Sequence, residues 1–501
     1  MGRYLMPVNL MTLLKPFGIE APLIEIGELV LDSRKVKPNS VFTAVIGHDL
    51  DGRDFIPQAV SLGARVVLSE TENVHEHGQI SMREHTVIVD FYQLNQQLNA
   101  LSALYYDYPA TKLDVIAVTG TNGKTSTAQL CAQISQLTGH KAGTLGTLGT
   151  GLINQLIPNI NTTPDPISIH KVLEEMRLQG AKTVALEASS HALVQKRLAA
   201  LKTDVAIFTN LTRDHLDYHG TMANYGAAKR SLLNQQGLRF AVINQQDMQA
   251  ELWLQDCPST VQAVMYGFEL VHYPDLPYCI ASSVEYLPHG TLIEIDSSWG
   301  QATIETALLG NFNVQNLLAA ITAQLCLGTS LHDIAAIASQ LTPIAGRMEI
   351  FKAKGKAALV VDYAHTSDAL EQALVSLRHH CNGQLWCMFG CGGDRDKGKR
   401  PQMGDIAERF ADKVLVTNDN SRSESPEQIA QDILAGCQRP DLIEVELDRA
   451  TAIRNMLSKA SEQDLILVAG KGHEDYQIIG NQRLPYNERH YIQQLLEGME
   501  Q

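Results

Sequence analysis

Cysteine pairs, long apolar runs and an excess of positive charge are all missing from this sequence. Its eight cysteines are spread over 501 residues with no CxxC spacing, so neither a zinc ribbon nor a dense disulfide framework is indicated. The longest apolar runs, such as residues 465–470, are far too short to span a bilayer. Pro7 and Asn9 break the N-terminal apolar stretch, and no signal cleavage site follows it. We therefore expect a protein of the reducing cytoplasm with no membrane insertion.

The charge balance argues against nucleic acid as a partner. The formal net charge is −15, whereas a protein that binds nucleic acid usually carries a basic face or stripe. Any anionic ligand would have to be bound by a few placed lysines and arginines. Otherwise the 45% apolar and 19% charged content is that of an ordinary globular protein.

The chain is long for a single hydrophobic core, and its pattern of strands and helices changes twice. Residues 1–95 hold short strand candidates around a helical stretch, which predicts a small α/β domain. Residues 96–343 repeat a strand, a glycine-rich turn and a helix, which predicts a parallel sheet. Residues 344–501 start a second doubly wound series. The predicted fold is α/β with three domains: a small N-terminal domain, a central P-loop ATPase-like sheet and a C-terminal Rossmann-like domain.

Short apolar runs predict the buried strands of the last two sections. They fall at 114–120, 183–188, 204–210, 240–245, 358–364, 384–390, 413–419 and 464–470. After the first of them, Leu130, Ile134 and Leu137 recur at helical spacing and Gly139 ends the pattern, which predicts a helix. Since ligands bind at the carboxyl ends of parallel strands, functional residues are sought in the loops that follow.

The segment TGTNGKTS, residues 119–126, has the parts of a phosphate-binding loop but is two residues shorter than G-x-x-x-x-G-K-[ST]. Gly120 and Gly123 would let backbone N–H groups approach phosphate oxygens at a helix N-terminus. Lys124 would neutralise the β- and γ-phosphates, and the Thr125 hydroxyl would bind Mg²⁺. The alternative is a tight turn with a solvated lysine.

Two further polar residues follow predicted strands of the same sheet. Glu187 and His215 are groups suited to Mg²⁺ and to the neighbourhood of phosphates. Either one alone is more often a helix cap or a satisfied polar group. Together with the loop, they indicate one nucleotide crevice.

Two short motifs suggest other functions and fail on their context. Residues 217–220 fit the D-x-x-G of GTPases, but the T-K-x-D at 111–114 precedes the phosphate loop instead of following it. A G-x-G-x-x-G dinucleotide fingerprint starting at Gly390 would need glycine where Arg395 stands. A GTPase switch and a dehydrogenase are therefore both disfavoured.

The series of motifs resembles the Mur ligase family, the ATP-dependent amide-forming enzymes of peptidoglycan synthesis, which are related to folylpolyglutamate synthetase. The segments that carry the resemblance are 119–126, 187–191, 210–220, 308–316, 346–349 and 362–370. The family's phosphate loop has the shortened form found here. Segments 31–56, 160–166, 390–401 and 469–477 are similar to the members that add the third residue of the stem peptide. The resemblance covers essentially the full chain and implies ligation through an acyl phosphate, with ATP and Mg²⁺.

The resemblance implies a role for each residue that matches a family motif. ATP would be bound by Gly120, Thr121, Asn122, Gly123, Lys124, Thr125, Ser126, Asn316, Arg347 and Asp362. The UDP-N-acetylmuramoyl dipeptide would be bound by Ser33, His48, Asn161, Thr162, Thr163, Ser189, Gln195 and Arg197. Catalysis would rest on Lys124, Glu187, His215 and Lys229. Thr125, Glu187 and His215 would hold Mg²⁺, and Lys229 as its carbamate would hold a second Mg²⁺ with His215, although from sequence alone Lys229 is a solvated helical cation.

The third substrate is suggested by DNSR, residues 419–422, which matches a family motif that accompanies meso-diaminopimelate selection. Arg422 could grip the distal carboxylate of diaminopimelate bidentately, whereas L-lysine has no such group. Ser421, like Ser367, stands where the family has proline, which would loosen its loop. The resemblance also assigns Arg395, Asp419, Asn420, Ser421, Gly470 and Glu474 to this amino acid, with Glu474 facing its distal ammonium.

The predicted function is the addition of meso-diaminopimelate to UDP-N-acetylmuramoyl-L-alanyl-D-glutamate by a monomeric, ATP-dependent ligase. An L-lysine-adding ligase or a folate-type ligase with the same ATP chemistry stays open, as does a non-catalytic nucleotide-binding module. A folate enzyme would need neither Arg422 nor the N-terminal uridine domain. A binding module could dispense with Glu187, His215 and Lys229 together.

Overall fold

The computed structural model describes residues 8–47, 50–159, 161–269 and 273–498. The chain forms two compact units. The first contains residues 1–267, 272–278 and 319–329, and the second contains residues 268–271, 279–318 and 330–501. Within the described residues, no helix is both long enough and apolar enough to cross a membrane.

The N-terminal part of the first unit is a small α/β layer. Its elements are β1 Val8–Asn9, α1 Leu10–Leu14, β2 Glu25–Ile26, β3 Leu29–Val30, β4 Val41–Ala44, α2 Ile56–Ser61, β5 Val66–Thr71, β6 Ile80–Arg83, β7 Thr86–Tyr92 and α3 Leu94–Tyr105. Five strands form a sheet in the order β3-β4-β5-β7-β6, in which only β6 is antiparallel to its neighbour. Phe42, Leu68 and Phe91 are buried on it.

The rest of the first unit alternates strands and helices. Its elements are β8 Asp114–Thr119, α4 Lys124–Leu137, β9 Ala142–Gly146, β10 Gly149–Leu152, α5 Pro166–Leu178, β11 Thr183–Glu187, α6 Ser190–Val194, β12 Val205–Phe208, α7 Leu216–His219, α8 Met222–Arg230, β13 Phe240–Asn244, α9 Ala250–Gln255 and β14 Gln262–Phe268. These strands lie in the order β10-β9-β11-β8-β12-β13-β14 and are parallel except for β10. The predicted parallel sheet is confirmed. Because β11, β8 and β12 are neighbours, the loops that follow them meet at one edge.

The second unit begins with three strands that differ from the prediction. They are β15 Tyr278–Leu287, β16 Gly290–Ser297 and β17 Gly300–Thr306, and they form an antiparallel meander. The repeated strand, turn and helix expected through residue 343 is wrong for this stretch. Short turns that end at Gly290 and Gly300 join these strands, and such turns favour hairpins over helical crossovers.

The remaining elements of the second unit include a doubly wound layer. They are α10 Asn311–Cys326, which the two units share, α11 Leu331–Ile337, β18 Glu349–Phe351, β19 Ala358–Asp362, α12 Ser367–Arg378, β20 Leu385–Phe389, α13 Lys399–Phe410, β21 Lys413–Val416, α14 Pro426–Leu434, β22 Glu444–Val445, α15 Arg449–Lys459, β23 Leu465–Ala469, β24 Tyr476–Ile479, β25 Gln482–Pro485 and α16 Glu488–Glu497. The sheet order is β18-β19-β23-β20-β21-β22, with only β18 antiparallel. The loops after β19, β23, β20 and β21 therefore share one edge.

Candidate active site

The shortened phosphate loop joins β8 to α4 and is fixed by the loop after β12. Gly120 has φ 148° and Gly123 has φ 85°, conformations that favour glycine. A side chain at Gly120 would overlap the Thr209 hydroxyl. The Asn122 N–H donates to Oδ1 of Asn210 at 2.9 Å, and Thr209 Oγ1 donates to the Asn122 carbonyl at 2.6 Å. The loop is therefore held in shape by the protein itself.

Two charged groups, Lys124 and Glu187, lie close to the phosphate loop. The Lys124 ammonium donates to the carbonyls of Gly120 and Thr121 at 2.8 and 2.9 Å, so it curls over the loop. Thr125 Oγ1, on the first turn of α4, donates to Oε2 of Glu187 at 2.9 Å. The loop, its lysine, its threonine and the predicted carboxylate thus converge as the sequence suggested.

The environment of Glu187 suits a magnesium site. The residue ends β11, is 2% exposed, and accepts hydrogen bonds from the N–H and hydroxyl of Thr147 at 2.7 and 3.2 Å. Its carboxylate and the Thr125 hydroxyl are hard oxygen donors of the kind Mg²⁺ takes, and at phosphate loops the other ligands are phosphate oxygens and waters. Among the described residues no cluster of three or more His, Cys, Asp or Glu could hold a metal alone. The residues present fit a Mg²⁺ that is held jointly with bound phosphates.

Lys229, on α8, is buried and is not the solvated cation that its sequence context suggested. It is 1% exposed, and its Nζ donates to the Gly120 carbonyl at 2.6 Å and lies 4.5 Å from the centre of the Tyr225 ring. Burial holds the pKa of Lys229 well below its usual value, and the charge of Lys124 lowers it further, while Asp214 acts in the opposite direction. A neutral amine at this position is a nucleophile.

One cavity of about 270 Å³ in the first unit brings nine of the predicted residues together. It is lined by Lys124, Asn161, Thr162, Thr163, Ser189, Ser190, His191, Gln195, Arg197, His215, Tyr225 and Lys229. The predicted phosphate-binding, metal-binding and dipeptide-binding residues therefore face the same space.

The dipeptide-binding candidates in this cavity are tied to each other. Thr163 Oγ1 donates to the Glu187 carbonyl at 2.6 Å and accepts from the Ser189 N–H at 3.1 Å. Arg197 Nη1 donates to the Thr163 carbonyl at 2.7 Å. Of the N-terminal candidates, Ser33 donates to Gln58 Oε1 at 2.8 Å within its own α/β layer, and His48 lies outside the described residues.

Three lining residues, Ser190, His191 and Tyr225, were missed by the sequence analysis. The His191 ring lies 5.0 Å from that of His215 and 4.1 Å from that of Tyr218, measured between centres. Burial, and then the nearby His215, lowers the pKa of His191. Its position at the end of the segment 187–191, which carries the family resemblance, was the available signal.

In the second unit, Arg422 and Glu474 are connected through Asn420. Arg422 Nη1 donates to the carbonyls of Gly393 and Asn420 at 2.8 and 3.4 Å, and Asn420 Nδ2 donates to Glu474 Oε2 at 3.0 Å. Among the contacts with described residues, none involves Nε or Nη2 of Arg422, which form the edge that binds a carboxylate bidentately. Arg395 is exposed and donates to the Asp394 carbonyl at 3.2 Å.

Lys471 is a further charged group of this region that sequence reasoning missed. Its ammonium is fully buried and lies 3.2 Å from Asn420 Oδ1, 3.1 Å from Glu474 Oε2 and 3.6 Å from Asp419 Oδ1. A side chain at the neighbouring Gly470 would come within 2.9 Å of Asp419 Oδ2. The lysine therefore offsets part of the negative charge of Asp419 and Glu474.

The ATP-binding candidates of the second unit cluster at the end of β19. Asp362 accepts hydrogen bonds from the N–H groups of Met348 and Ala364, both at 2.8 Å, and burial raises the pKa of Asp362 while Arg347 opposes that rise. The Arg347 guanidinium lies 4.7 Å from the centre of the Tyr363 ring. Separately, Asn316 Nδ2 donates to Asn313 Oδ1 at 3.4 Å.

Ser421→Pro is expected to raise the free energy of unfolding by about 1 kcal/mol. Ser421 is 1% exposed, and within the described part of the chain its hydroxyl has no hydrogen-bond partner. Urea unfolding would measure the change. The matched variant is Ser367→Pro, at the first residue of α12, where proline restricts the unfolded chain but also removes the hydrogen bond from Ser367 Oγ to Gln402 Oε1 at 3.1 Å, so the net gain should stay below about 0.5 kcal/mol. A Ser421→Pro protein less stable than the unmodified chain would contradict the prediction.

Three family models match the chain: Mur ligase family, catalytic domain, over 25–106; Mur ligase middle domain, over 118–324; and Mur ligase, glutamate ligase domain, over 346–472. A UDP-N-acetylmuramoyl-L-alanyl-D-glutamate–2,6-diaminopimelate ligase of Vibrio vulnificus is 45% identical over 492 residues, which is 98% of each chain. The chain belongs to the Mur ligase family. The resemblance read from its motifs is confirmed, and the protein is a ligase.

Solved structures of other Mur ligases share the fold of this Mur ligase. A UDP-N-acetylmuramoyl-L-alanyl-D-glutamate–2,6-diaminopimelate ligase superposes with a TM-score of 0.74 at 33% identity, covering 99% of both chains. The MurF ligase of Thermotoga maritima, solved in complex with ADP, has a TM-score of 0.61 at 18% identity, covering 89% of this chain and 94% of its own. The predicted α/β fold class is confirmed.

Proposed function

We propose that this Mur ligase joins meso-diaminopimelate to UDP-N-acetylmuramoyl-L-alanyl-D-glutamate with the conversion of ATP to ADP and phosphate. The observation that carries the proposal is the link that Asn420 makes between Arg422 and Glu474. Such a site presents a guanidinium edge and a carboxylate to the carboxylate and ammonium of a distal amino-acid group. L-Lysine offers only the ammonium, so the guanidinium would remain desolvated and unpaired. The Vibrio vulnificus relative, named for this reaction, supports the same assignment.

The proposal gives each section of the chain a main substrate. Residues 1–95 hold the uridine nucleotide, residues 96–343 hold ATP, and residues 344–501 hold the incoming amino acid. ATP is bound by the loop 120–126, and the family resemblance adds Asn316, Arg347 and Asp362 to the ATP-binding candidates. The enzyme acts as a cytoplasmic monomer, because both nucleotide substrates are cytoplasmic metabolites and this one chain supplies all the proposed sites.

The reaction proceeds in two displacements. A carboxylate oxygen of the dipeptide attacks the γ-phosphorus, the bond to ADP breaks, and an acyl phosphate forms. The neutral amine of diaminopimelate then attacks the acyl carbon, phosphate leaves, and the amine loses its proton to give the amide. No protein nucleophile is needed, so catalysis rests on positioning and on charge stabilisation.

The residues around the phosphate loop have distinct parts in these steps. Lys124 neutralises the transferring phosphoryl group, and the backbone of 120–123 orients it. Thr125 and Glu187 would hold Mg²⁺ together with the phosphates, and the ion would supply further charge neutralisation there. We assign His215 and the carbamate of Lys229 to a second Mg²⁺. The carbamate would form because the buried neutral amine of Lys229 can attack CO₂ and release a proton.

Phosphate release tests this function. The purified protein is given Mg²⁺, ATP and UDP-N-acetylmuramoyl-L-alanyl-D-glutamate, with meso-diaminopimelate in one reaction and L-lysine in another. We expect release only with diaminopimelate. Release with L-lysine would be consistent with the ATP chemistry but would overturn the assignment of Arg422. Release with neither amino acid would overturn the proposal that UDP-N-acetylmuramoyl-L-alanyl-D-glutamate is the acceptor substrate.

Lys229→Met is expected to stabilise the protein and to impair ligation. Burial disfavours the ammonium, so methionine should raise the free energy of unfolding by about 1–2 kcal/mol in CO₂-free buffer. Since the pKa of Lys229 is depressed in the folded state, this gain should be full below that depressed pKa and should shrink as the pH rises from it towards 10.5. Without the carbamate, ligation should fall about a hundredfold.

Urea unfolding, phosphate release and the ¹³C signal of a carbamate formed from labelled bicarbonate measure these effects. Lys112→Met, at an exposed lysine paired with Asp107, serves as the control and should change none of them. Unchanged ligation by Lys229→Met would remove the carbamate from the mechanism.

A further inference from the structure

Two neighbouring loops of the second unit carry the arginines assigned to the amino acid. Residues 390–398 follow β20 and include Arg395, and residues 417–425 follow β21 and include Arg422. Because β20 and β21 are paired in parallel, these loops leave the sheet side by side. Their mutual contacts decide how the two guanidinium groups are presented.

The loops meet first through their backbones. The Gly393 N–H donates to the Asn420 carbonyl at 2.9 Å, and the Gly393 carbonyl accepts from Arg422 Nη1 at 2.8 Å. A side chain at Gly393 would overlap the Ser421 carbonyl, so this close approach requires glycine. Arg422 itself has φ 49°, a conformation that costs free energy for a residue with a side chain and is maintained by such contacts.

Asp394 adds a second layer of contacts to the same pair of loops. Its carboxylate accepts from the Ser423 hydroxyl at 2.6 Å and from the Ser423 N–H at 3.1 Å. Its own N–H donates to Glu424 Oε1 at 2.6 Å. Both residues that follow Arg422 are thereby bonded to the residue that precedes Arg395.

Arg400, at the start of α13, lies behind this contact and is fully buried. It grips Glu424 bidentately, with Nη1 to Oε2 at 3.0 Å and Nη2 to Oε1 at 2.9 Å, and Nη1 also donates to Asp432 at 2.8 Å. Nη2 reaches the Gly392 carbonyl at 3.3 Å. The hydrogen bonds from Arg400, and then from the Asp394 N–H, lower the pKa of Glu424 to about 2. The carboxylate is therefore charged throughout the physiological range.

This arrangement orders the loops before any ligand arrives. A guanidinium that must find its position on binding loses side-chain and loop entropy at that moment, whereas one that is fixed beforehand does not. Supporting residues with locked rotamers serve this purpose in binding sites. Arg400 makes its hydrogen bonds to Glu424, Asp432 and Gly392, so its part is to fix the geometry of the two loops.

We propose that Asp394, Arg400 and Glu424 form a clasp that positions Arg395 and Arg422 for the distal carboxylate of diaminopimelate. The proposal rests on the proposed function, since it takes the amino acid to bind at these arginines. The three residues are positioning residues and do not touch the substrate. Their loss should weaken recognition of the amino acid and leave ATP and the uridine nucleotide unaffected.

The test compares Asp394→Asn and Glu424→Gln with Asp405→Asn, which removes a part-exposed carboxylate that pairs with Arg409 one turn further along α13. Asp394 has φ 53°, a conformation that asparagine tolerates as well as aspartate, so the backbone of this variant is preserved. We expect the KM for diaminopimelate to rise at least about tenfold in both clasp variants, with the other two KM values within about twofold. Asp405→Asn should behave as the unmodified enzyme.

Several outcomes would overturn the clasp. Equal changes in all three KM values, or a fall in kcat alone, would mean that the clasp has a purely structural role. Unchanged kinetics in Asp394→Asn, which should fold even if Glu424→Gln does not, would do the same. If Arg422→Ala impairs diaminopimelate use while Asp394→Asn does not, the clasp fails and the proposed function stands. An unmodified enzyme that accepts L-lysine and rejects diaminopimelate would overturn both.

Discussion

Lys124→Ala is expected to lower the rate of ATP-dependent ligation by at least about 10³-fold, because it removes the cation that neutralises the transferring phosphoryl group. The ammonium is supplied from the first residue of α4 and held over the loop by the carbonyls of Gly120 and Thr121. No other part of the loop 120–123 carries a charge. Phosphate release with all three substrates present measures the effect.

The loss should be catalytic, with little change in stability. Alanine is the best helix former and the lost hydrogen bonds are to a part-exposed surface, so the free energy of unfolding should change by less than about 1 kcal/mol. Lys141→Ala is the matched control, since its ammonium also donates to a backbone carbonyl, that of Gln179, at 3.0 Å. Retained turnover by Lys124→Ala would contradict the assignment of 120–126 as the phosphate loop.

The parts of the fold and site that could be predicted are those encoded in short stretches of sequence. The strand β8, the turn 120–123 and the helix α4 follow from one continuous pattern of apolar residues, glycines and helical spacing. The convergence of Glu187 with Thr125 followed from the rule that parallel strands end at a common edge. The local sequence pattern and one topological rule were enough to predict these features.

The parts that could not be predicted depend on contacts between distant segments. Lys229 lies in an ordinary helical sequence, and only its packing beneath Gly120 makes it a buried amine. Lys471 and Arg400 resemble solvated loop cations until their carboxylate partners are known. Burial and charge pairing are properties of the assembled unit, and no spacing in the sequence reports them.

Arg422→Ala is expected to lower kcat/KM for meso-diaminopimelate about 10³-fold, a loss of ~4 kcal/mol, because a substrate carboxylate would be desolvated without its partner. The effect should lie mainly in KM, since the distal carboxylate takes no part in the two displacements. The KM for ATP should stay within about twofold. Steady-state phosphate release at varied concentrations of each substrate separates these parameters.

Arg422→Lys distinguishes charge from geometry at the same position. A lysine keeps the positive charge but lacks the Nε and Nη2 edge, so it should recover only a small part of the loss. Arg378→Ala, which removes a half-exposed arginine paired with Asp412 at 2.8 Å, should leave all three KM values unchanged. Full activity in Arg422→Lys would mean that a point charge suffices, and equal rises in the KM values for ATP and diaminopimelate would place Arg422 outside the amino-acid pocket. Discrimination against L-lysine should weaken in Arg422→Ala, because lysine then leaves no guanidinium unpaired.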